Sequence, residues 1–137
     1  MNVAYEEAKK AFEIGEIPVG CVVVKDNNII ARAHNCKECK KNSIMHAELL
    51  AVDKACRFVG DWRLDGCTLY TTLEPCMMCM GAIIESRISS IYFGTVSKNE
   101  QLYDVDRLNK SNFKIINMND ERCSKILSDF FKNRRKN

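Results

Sequence analysis

The sequence predicts an α/β protein with three layers, in which helices cover both faces of a mixed sheet of about five strands. Segments with apolar residues at helical spacing alternate with β-branched runs along the 137 residues. A chain of this length can bury a substantial core, and 46% hydrophobic with 28% charged residues is typical of a folded globular protein. Because no linker, internal repeat or low-complexity stretch interrupts the pattern, we expect residues 1–137 to form one domain.

The first third of the chain predicts a helix followed by a hairpin. Apolar residues recur at helical spacing over residues 2–15, and the β-branched run VGCVVVK follows at 19–25. Turn-forming residues at 26–28 separate this run from a second strand over residues 28–34. A polar, lysine-rich loop is expected at 35–43.

The rest of the chain predicts alternating helices and strands. A helix over 46–59 ends at Gly60, and a strand (67–73), a helix (76–86) and a strand (89–94) follow. Two strands joined by a helix form a parallel pair, so the sheet is mixed once the opening hairpin is included. A polar loop is expected next, and then a strand and a helix complete the prediction, at 113–117 and 121–135.

Charge and hydropathy exclude few partners. The chain has 21 Lys and Arg against 18 Asp and Glu, a net charge of +3 that permits a nucleic-acid partner without requiring one. No apolar run approaches the roughly 18–20 residues that span a bilayer, so no membrane association is expected. The N-terminal residues MNVAYEEAKKAFEIG lack the pattern of a secretory signal. We therefore expect a cytoplasmic protein.

The eight cysteines need an explanation in a protein of this kind. A secreted disulfide framework is disfavoured without a signal sequence. Free cysteine is a common small core residue, and four of the eight are expected to serve that purpose because most lie in apolar segments. These four are Cys21, Cys56, Cys67 and Cys123.

Cys76 and Cys79, in the stretch LEPCMMCMGAII, admit three interpretations. A C-x-x-C pair after a strand and at a helix start is typical of thioredoxin-like redox motifs. With Cys36 and Cys39 the pair could form a four-thiolate structural zinc site, although the intervening stretch is unusually long. With one histidine the pair could hold a catalytic zinc, which takes three protein ligands and leaves one position for water.

His46 and Glu48 favour the third interpretation. His46 lies in MHAELL, at the start of the helix that precedes the third strand. If the two helices begin side by side, His46 converges with Cys76 and Cys79, whose thiolate forms are stabilised at a helix N-terminus. Glu48 is two residues from His46 and therefore cannot be a ligand on the same face. In the first helical turn it can reach a metal-bound water and transfer protons.

These motifs carry a family resemblance. H-A-E at 46–48 with P-C-M-M-C at 75–79 resembles the signature of the zinc-dependent cytidine/deoxycytidylate deaminase superfamily, whose chemistry is known. Longer stretches resemble the bacterial tRNA adenosine deaminases (TadA) within it, namely IPVGCVVV, HAELLAV, LDGCTLYTTLEPCMMC, GAIIESRISSIYFG and LSDFFKNRR. The resemblance covers almost the entire chain and implies the cytidine-deaminase-like fold.

The resemblance also implies a reaction. Zn²⁺ would be held by His46, Cys76 and Cys79, and Glu48 would transfer protons during hydrolytic deamination of adenosine to inosine at the wobble position of tRNA. Asn35 would hydrogen-bond the bound nucleoside, and the main-chain N–H of Ala47 would face the base. A tRNA anticodon loop is then the expected partner, and a homodimer is the expected assembly.

The chain also departs from the family pattern. The loop before H-A-E reads CKECKKNSIM, Met80 and Glu85 replace an alanine and a histidine, and TVSKNEQLYDVD replaces a segment that meets RNA. Candidate RNA contacts are the aromatic and basic residues near the C-terminus, which are alternatively core residues and a solvated helix end. These are Phe130, Phe131, Lys132, Arg134, Arg135 and Lys136.

Two other functions stay open from the residues. The same zinc chemistry can act on a free base or nucleoside, such as guanine or cytosine. A non-catalytic, zinc-stabilised interaction domain is the alternative from another class, and an intact Glu48 weighs against it because such a domain needs no proton transfer.

Overall fold

The computed structural model describes residues 1–98, 103–110 and 112–135, and it confirms the predicted α/β class with a five-stranded mixed sheet. The strand order is β2-β1-β3-β4-β5. The strands are β1 (Gly20–Lys25), β2 (Asn28–His34), β3 (Cys67–Leu73), β4 (Ser90–Thr95) and β5 (Lys114–Asn117). The helices are α1 (Asn2–Glu13), α2 (Ala47–Val59), α3 (Met77–Glu85), α4 (Val105–Lys110) and α5 (Glu121–Arg135).

The pairing of the strands agrees with the predicted hairpin and crossover. β1 is antiparallel to both β2 and β3, whereas β3, β4 and β5 run parallel. The hairpin turns at Asp26 and Asn27, which both have positive φ, the conformation of a two-residue type I′ turn. Helices α1 and α5 contact each other, as do α2 and α3, so the sheet lies between two helical layers.

Helix α4 was not predicted, since its sequence VDRLNK has too few apolar residues to show a helical period. The signal that was present is its cap. The carboxylate of Asp104 accepts hydrogen bonds from the N–H groups of Asp106 and Arg107 at 3.0 and 3.2 Å, which satisfies donors that the first helical turn leaves unpaired. A polar loop was expected here, and a capped six-residue helix is found.

Helix α1 packs tightly against the start of β1, and this contact depends on Gly20. A Cβ at this position would collide with the carbonyl oxygen of Ala4 and the amide nitrogen of Ala8. The neighbouring Glu7 is buried, and its carboxylate pairs with the side chains of Lys10, Arg32 and His34.

The ion cluster around Glu7 ties α1 to the end of β2. Burial disfavours the charged carboxylate, but hydrogen bonds from His34, Lys10 and Arg32 outweigh burial and lower the pKa of Glu7 to about 2. His34 is the last residue of β2. The cluster therefore fixes the strand end from which Asn35 enters the site described below.

Within the described part of the chain, no helix has the length and apolar character that crossing a membrane would require.

Candidate active site

The site lies where α2 and α3 begin. His46 and Cys76 occupy the N-cap positions of these two helices, which begin one residue later than the sequence predicted. Both have extended backbone conformations, and neither side chain caps its own helix. The imidazole and the thiol are therefore available to a ligand placed between the two helix ends.

The structure brings the three predicted metal ligands together. The Nδ1 atom of His46 lies 3.7 Å from the Sγ atom of Cys76 and 3.4 Å from that of Cys79. Potential ligand atoms of the three residues all lie within 4.8 Å of one another. A tetrahedral zinc with ordinary Zn–S and Zn–N bond lengths separates its ligand atoms by about 3.5–3.8 Å. The spacing therefore fits one tetrahedral metal.

The protonation of the two thiols also suits a metal. Hydrogen bonds from Cys79 and His46 lower the pKa of Cys76 to about 4 despite partial burial. The pKa of Cys79 is raised by its hydrogen bond to Cys76 and by burial. The pair thus forms a thiolate and a thiol that share one proton, and a cation releases such a proton when it binds.

Cys36 and Cys39 are absent from this group. Among the described residues, the cluster that can share a metal ion consists of His46, Cys76 and Cys79. The four-thiolate interpretation therefore finds no support.

Glu48 lies beside the three ligands as a buried carboxyl. Its residue is 4% exposed, and burial is the main cause that raises the pKa of Glu48 to about 7, although a backbone hydrogen bond and His46 oppose the shift. A carboxyl with a pKa near the working pH can both accept and return a proton. The environment of Glu48 therefore suits a group that exchanges protons near neutral pH.

Asn35 joins the end of β2 to the start of α2. Its Oδ1 atom accepts a hydrogen bond from the N–H of Ala47 at 2.8 Å, and its own N–H donates to the carbonyl of Val19 at 3.1 Å. The N–H of Ala47 was expected to face the base, but it pairs with Asn35 because a first-turn N–H needs an acceptor. Asn35 also forms part of the cavity lining.

The cavity above these residues has a volume of about 430 Å³. Its polar lining includes Glu48, His46, Cys76 and Asn35, and its apolar lining includes Ile17, Val19 and Leu73. Apolar walls with a few convergent polar groups are typical of small-ligand sites. The cavity can hold a flat heterocycle between apolar side chains, with its polar edge toward Glu48.

Three residues at or beside the cavity were not predicted from the sequence, and each holds a neighbouring segment in place. Glu16, 2% exposed, accepts the N–H groups of Glu38 and Cys39 at 3.0 and 2.6 Å. Glu74 lies in the cavity wall and accepts the N–H of Ser97 at 3.1 Å. The hydroxyl of Tyr103 donates to the carbonyl of Pro75 at 2.6 Å.

Only one of these three had a signal in the sequence. Glu74 is part of the motif that carries Cys76, and a polar residue next to a metal motif is a reasonable candidate. Glu16 and Tyr103 act on residues more than 20 positions away, which only the fold brings near.

The C-terminal residues proposed to meet RNA differ in their exposure. Phe130 is buried and packs edge-to-face against Phe12 and Phe131, so the core alternative applies to it. Phe131 is 41% exposed and lines a second groove that shares Ile17, Leu73 and Ser97 with the cavity. Lys132 and Arg134 are exposed on the same helix, and Arg135 and Lys136 lie outside the residues whose side chains are described.

Comparison with known proteins agrees with this geometry. The model of the family described as MafB19-like deaminase matches residues 1–135. The chain is 44% identical to the tRNA-specific adenosine deaminase of Bacillus subtilis over 99% of this chain and 89% of that protein. It is 42% identical to the tRNA-specific adenosine deaminase of Aquifex aeolicus over 100% of this chain and 95% of that protein.

Two solved structures extend the comparison. One, from a study of A-to-I editing by tRNA:A34 deaminases, superposes with a TM-score of 0.83 at 32% identity and covers 93% of this chain and 97% of its own. The other, a guanine deaminase from Bacillus subtilis, has a TM-score of 0.65 at 34% identity and covers 81% of this chain and 66% of its own.

The fold and the site together define the chain as a deaminase with a His-Cys-Cys group placed to bind a metal. The extent and identity of the matches are more specific than this class. The chain belongs to the tRNA-specific adenosine deaminase family.

Proposed function

We propose that this protein deaminates adenosine hydrolytically to inosine at the wobble position of tRNA, with Zn²⁺ held by His46, Cys76 and Cys79. The observation that carries the proposal is the tetrahedral spacing of these three groups beside a buried Glu48, at the floor of a cavity with apolar walls. The relatives named as tRNA-specific adenosine deaminases supply the substrate class.

The ligand set fits zinc on chemical grounds. One imidazole and two thiols match the nitrogen and sulfur preference of this metal, and three protein ligands leave one position open. When bound, zinc would make a water molecule acidic enough to act as a nucleophile near neutral pH.

Glu48 supplies the proton transfers. It takes one proton from the attacking water and delivers it to the ring nitrogen, and it then takes the second proton from the added hydroxyl group and delivers it to the departing amino group. The bond that forms joins the water oxygen to the ring carbon bearing that group, and the bond that breaks releases ammonia. A pKa of about 7 lets one carboxyl perform both transfers in a single turnover.

Asn35 positions the nucleoside. Its Oδ1 atom is committed to the N–H of Ala47, so its amide group is held in a fixed orientation at the cavity wall. Ile17, Val19 and Leu73 can then contact the faces of the ring. A base must leave its stack to reach this position, and an anticodon loop offers such a base at small cost.

The remaining parts of the proposal concern the assembly. Phe131, Lys132 and Arg134 are the candidates for contact with the flanking nucleotides, because the groove lined by Phe131 shares residues with the cavity. We also propose that residues 1–137 form a single deaminase domain, that it acts as a homodimer, and that it works in the cytoplasm.

Deamination of a free base is the second candidate function. The similarity at 34% identity to a structure named as a guanine deaminase supports it. The interaction-domain hypothesis has no comparable support, since Glu48 is buried beside the metal group instead of being solvated.

We expect the zinc-loaded protein to form inosine in a tRNA anticodon stem-loop with adenosine at the wobble position. Sequencing and nucleoside analysis of the product would measure it, and a stem-loop with guanosine at that position is the matched control. Free adenosine, cytidine, cytosine and guanine should react far more slowly. Rapid release of ammonia from guanine, with no action on the stem-loop, would instead establish the free-base activity.

A second expected result concerns Phe131. Its replacement by alanine should raise KM for the stem-loop by about tenfold, because stacking on one base contributes about 1–3 kcal/mol. Lys132→Ala should reduce the slope of log K for binding against log salt concentration by about one, because one phosphate contact is lost. The matched control is Lys125→Ala, an exposed lysine of the same helix that is paired with Asp129 and lines a different groove. Equal effects of all three substitutions would exclude this face as the RNA contact.

A further inference from the structure

Two cysteines flank residues that line the cavity, on a turn that the proposed reaction does not use. Cys36 and Cys39 belong to the turn Cys36-Lys37-Glu38-Cys39, and we call this pair the rim dithiol. The N–H of Lys40 donates to the carbonyl of Cys36 at 3.0 Å, and the Sγ atom of Cys39 lies 3.8 Å from the same carbonyl oxygen. The two cysteines therefore lie on one short turn, three residues apart in the sequence.

The turn is held against the rest of the site. The N–H groups of Glu38 and Cys39 donate to the buried carboxylate of Glu16, and the N–H of Cys36 donates to the carbonyl of Met45. Lys37 and Glu38, the two residues between the cysteines, line the cavity itself. Any change in the turn is therefore a change in the mouth of the cavity.

We propose that the rim dithiol is an oxidation site that closes to a Cys36–Cys39 disulfide in the presence of a small-molecule disulfide such as oxidised glutathione. The exposed Cys39 attacks first as its thiolate, forming a mixed disulfide and releasing one glutathione thiol. Cys36 then displaces the second glutathione thiol and forms the internal bond. The two cysteine sulfurs together lose two electrons and two protons, and the glutathione disulfide gains them.

A turn of this kind brings two cysteines near the separation that a disulfide needs. Residues three apart in a helical turn have Cβ atoms about 5–6 Å apart, and a disulfide needs about 3.5–4.5 Å. The adjustment is small for an exposed turn. The other cysteines are less suited, because Cys21, Cys67, Cys79 and Cys123 are buried.

The effect on activity rests on the proposed function. Shortening the distance between Cys36 and Cys39 displaces Lys37 and Glu38 and disturbs the hydrogen bonds to Glu16. Asn35, His46 and Glu48 keep their own contacts on β2 and α2. We therefore expect oxidation to raise KM for the RNA substrate by about tenfold with little change in kcat, as for loss of one contact of about 1.4 kcal/mol.

The test uses the full chain loaded with zinc. It is incubated in glutathione buffers of graded redox ratio and examined by intact mass, by tryptic mapping and by stem-loop kinetics. Trypsin cleaves after Lys37, so only a disulfide keeps the two cysteine peptides joined. The variants are Cys36→Ser, Cys39→Ser and the double variant, and Cys56→Ser is the control because Cys56 is a partly buried cysteine outside the turn.

The expected result is the loss of two hydrogen masses from the wild type and from Cys56→Ser, a joined peptide, and a reversible rise in KM. The double variant should show none of these. Two results would overturn the proposal: no disulfide at any ratio, or inhibition that persists in the double variant together with loss of zinc. Mass and mapping need no turnover, so they test the disulfide even if the proposed function fails.

Discussion

Glu48→Gln should reduce deamination by at least about 10²–10⁴-fold, the range associated with general acid and base catalysis. The amide has the shape of the carboxyl but cannot take a proton from water or deliver one to the departing amino group. Because Glu48 is buried and does not belong to the His46–Cys76–Cys79 group, the variant should still bind one metal ion per chain. Single-turnover kinetics and metal analysis of the same sample would measure both quantities.

The matched control for this substitution is Glu85→Gln, which changes an exposed glutamate of α3. It should leave kcat and the metal content unchanged. Wild-type turnover in Glu48→Gln would remove this residue from the mechanism, and a simultaneous loss of metal would show that Glu48 acts on the ligands instead of on the substrate.

Most of the fold follows from patterns that are local in sequence. The helices over 2–13 and 47–59 have apolar periods of helical spacing, and the hairpin has turn residues that tolerate positive φ. The parallel pair β3–β4 follows from a strand, a helix and a strand in succession. The short α4 was missed because its only strong signal is the Asp104 cap, which looks the same as an ordinary turn.

The site was predictable where chemistry limits the choice of residue. Two cysteines and one histidine near two helix starts are most simply explained together as metal ligands. The position of Glu48 in the first turn of the same helix then predicts a group that transfers protons. The contacts of Glu16 with Glu38 and Cys39 were not predictable. These partners are 22 and 23 residues away, and such a contact produces no pattern in the sequence. The pairing of Ala47 with Asn35 was missed for a related reason, since it depends on the relative placement of β2 and α2.

Replacing one of the three metal-site residues should lower both the affinity for zinc and the rate of deamination. Cys76→Ser exchanges a thiol whose pKa is about 4, and which is therefore a thiolate at neutral pH, for a hydroxyl that remains protonated. We expect zinc affinity to fall by more than about a hundredfold, which exceeds the usual effect of groups that only support a ligand. Deamination should fall to background at limiting metal. Competition with a chromogenic chelator would measure the affinity.

The comparison variant is Cys36→Ser combined with Cys39→Ser, which removes both sulfur atoms of the rim dithiol and leaves Cys76 and Cys79 in place. Because the rim dithiol lies outside the His46–Cys76–Cys79 group, this variant should retain one zinc per chain and the wild-type affinity. Two tightly bound ions in the wild type, or loss of zinc in this variant, would restore the four-thiolate hypothesis. Loss of zinc in Cys76→Ser alone, with the fold preserved by circular dichroism, would identify the His-Cys-Cys group as the metal centre and the two rim cysteines as independent of it.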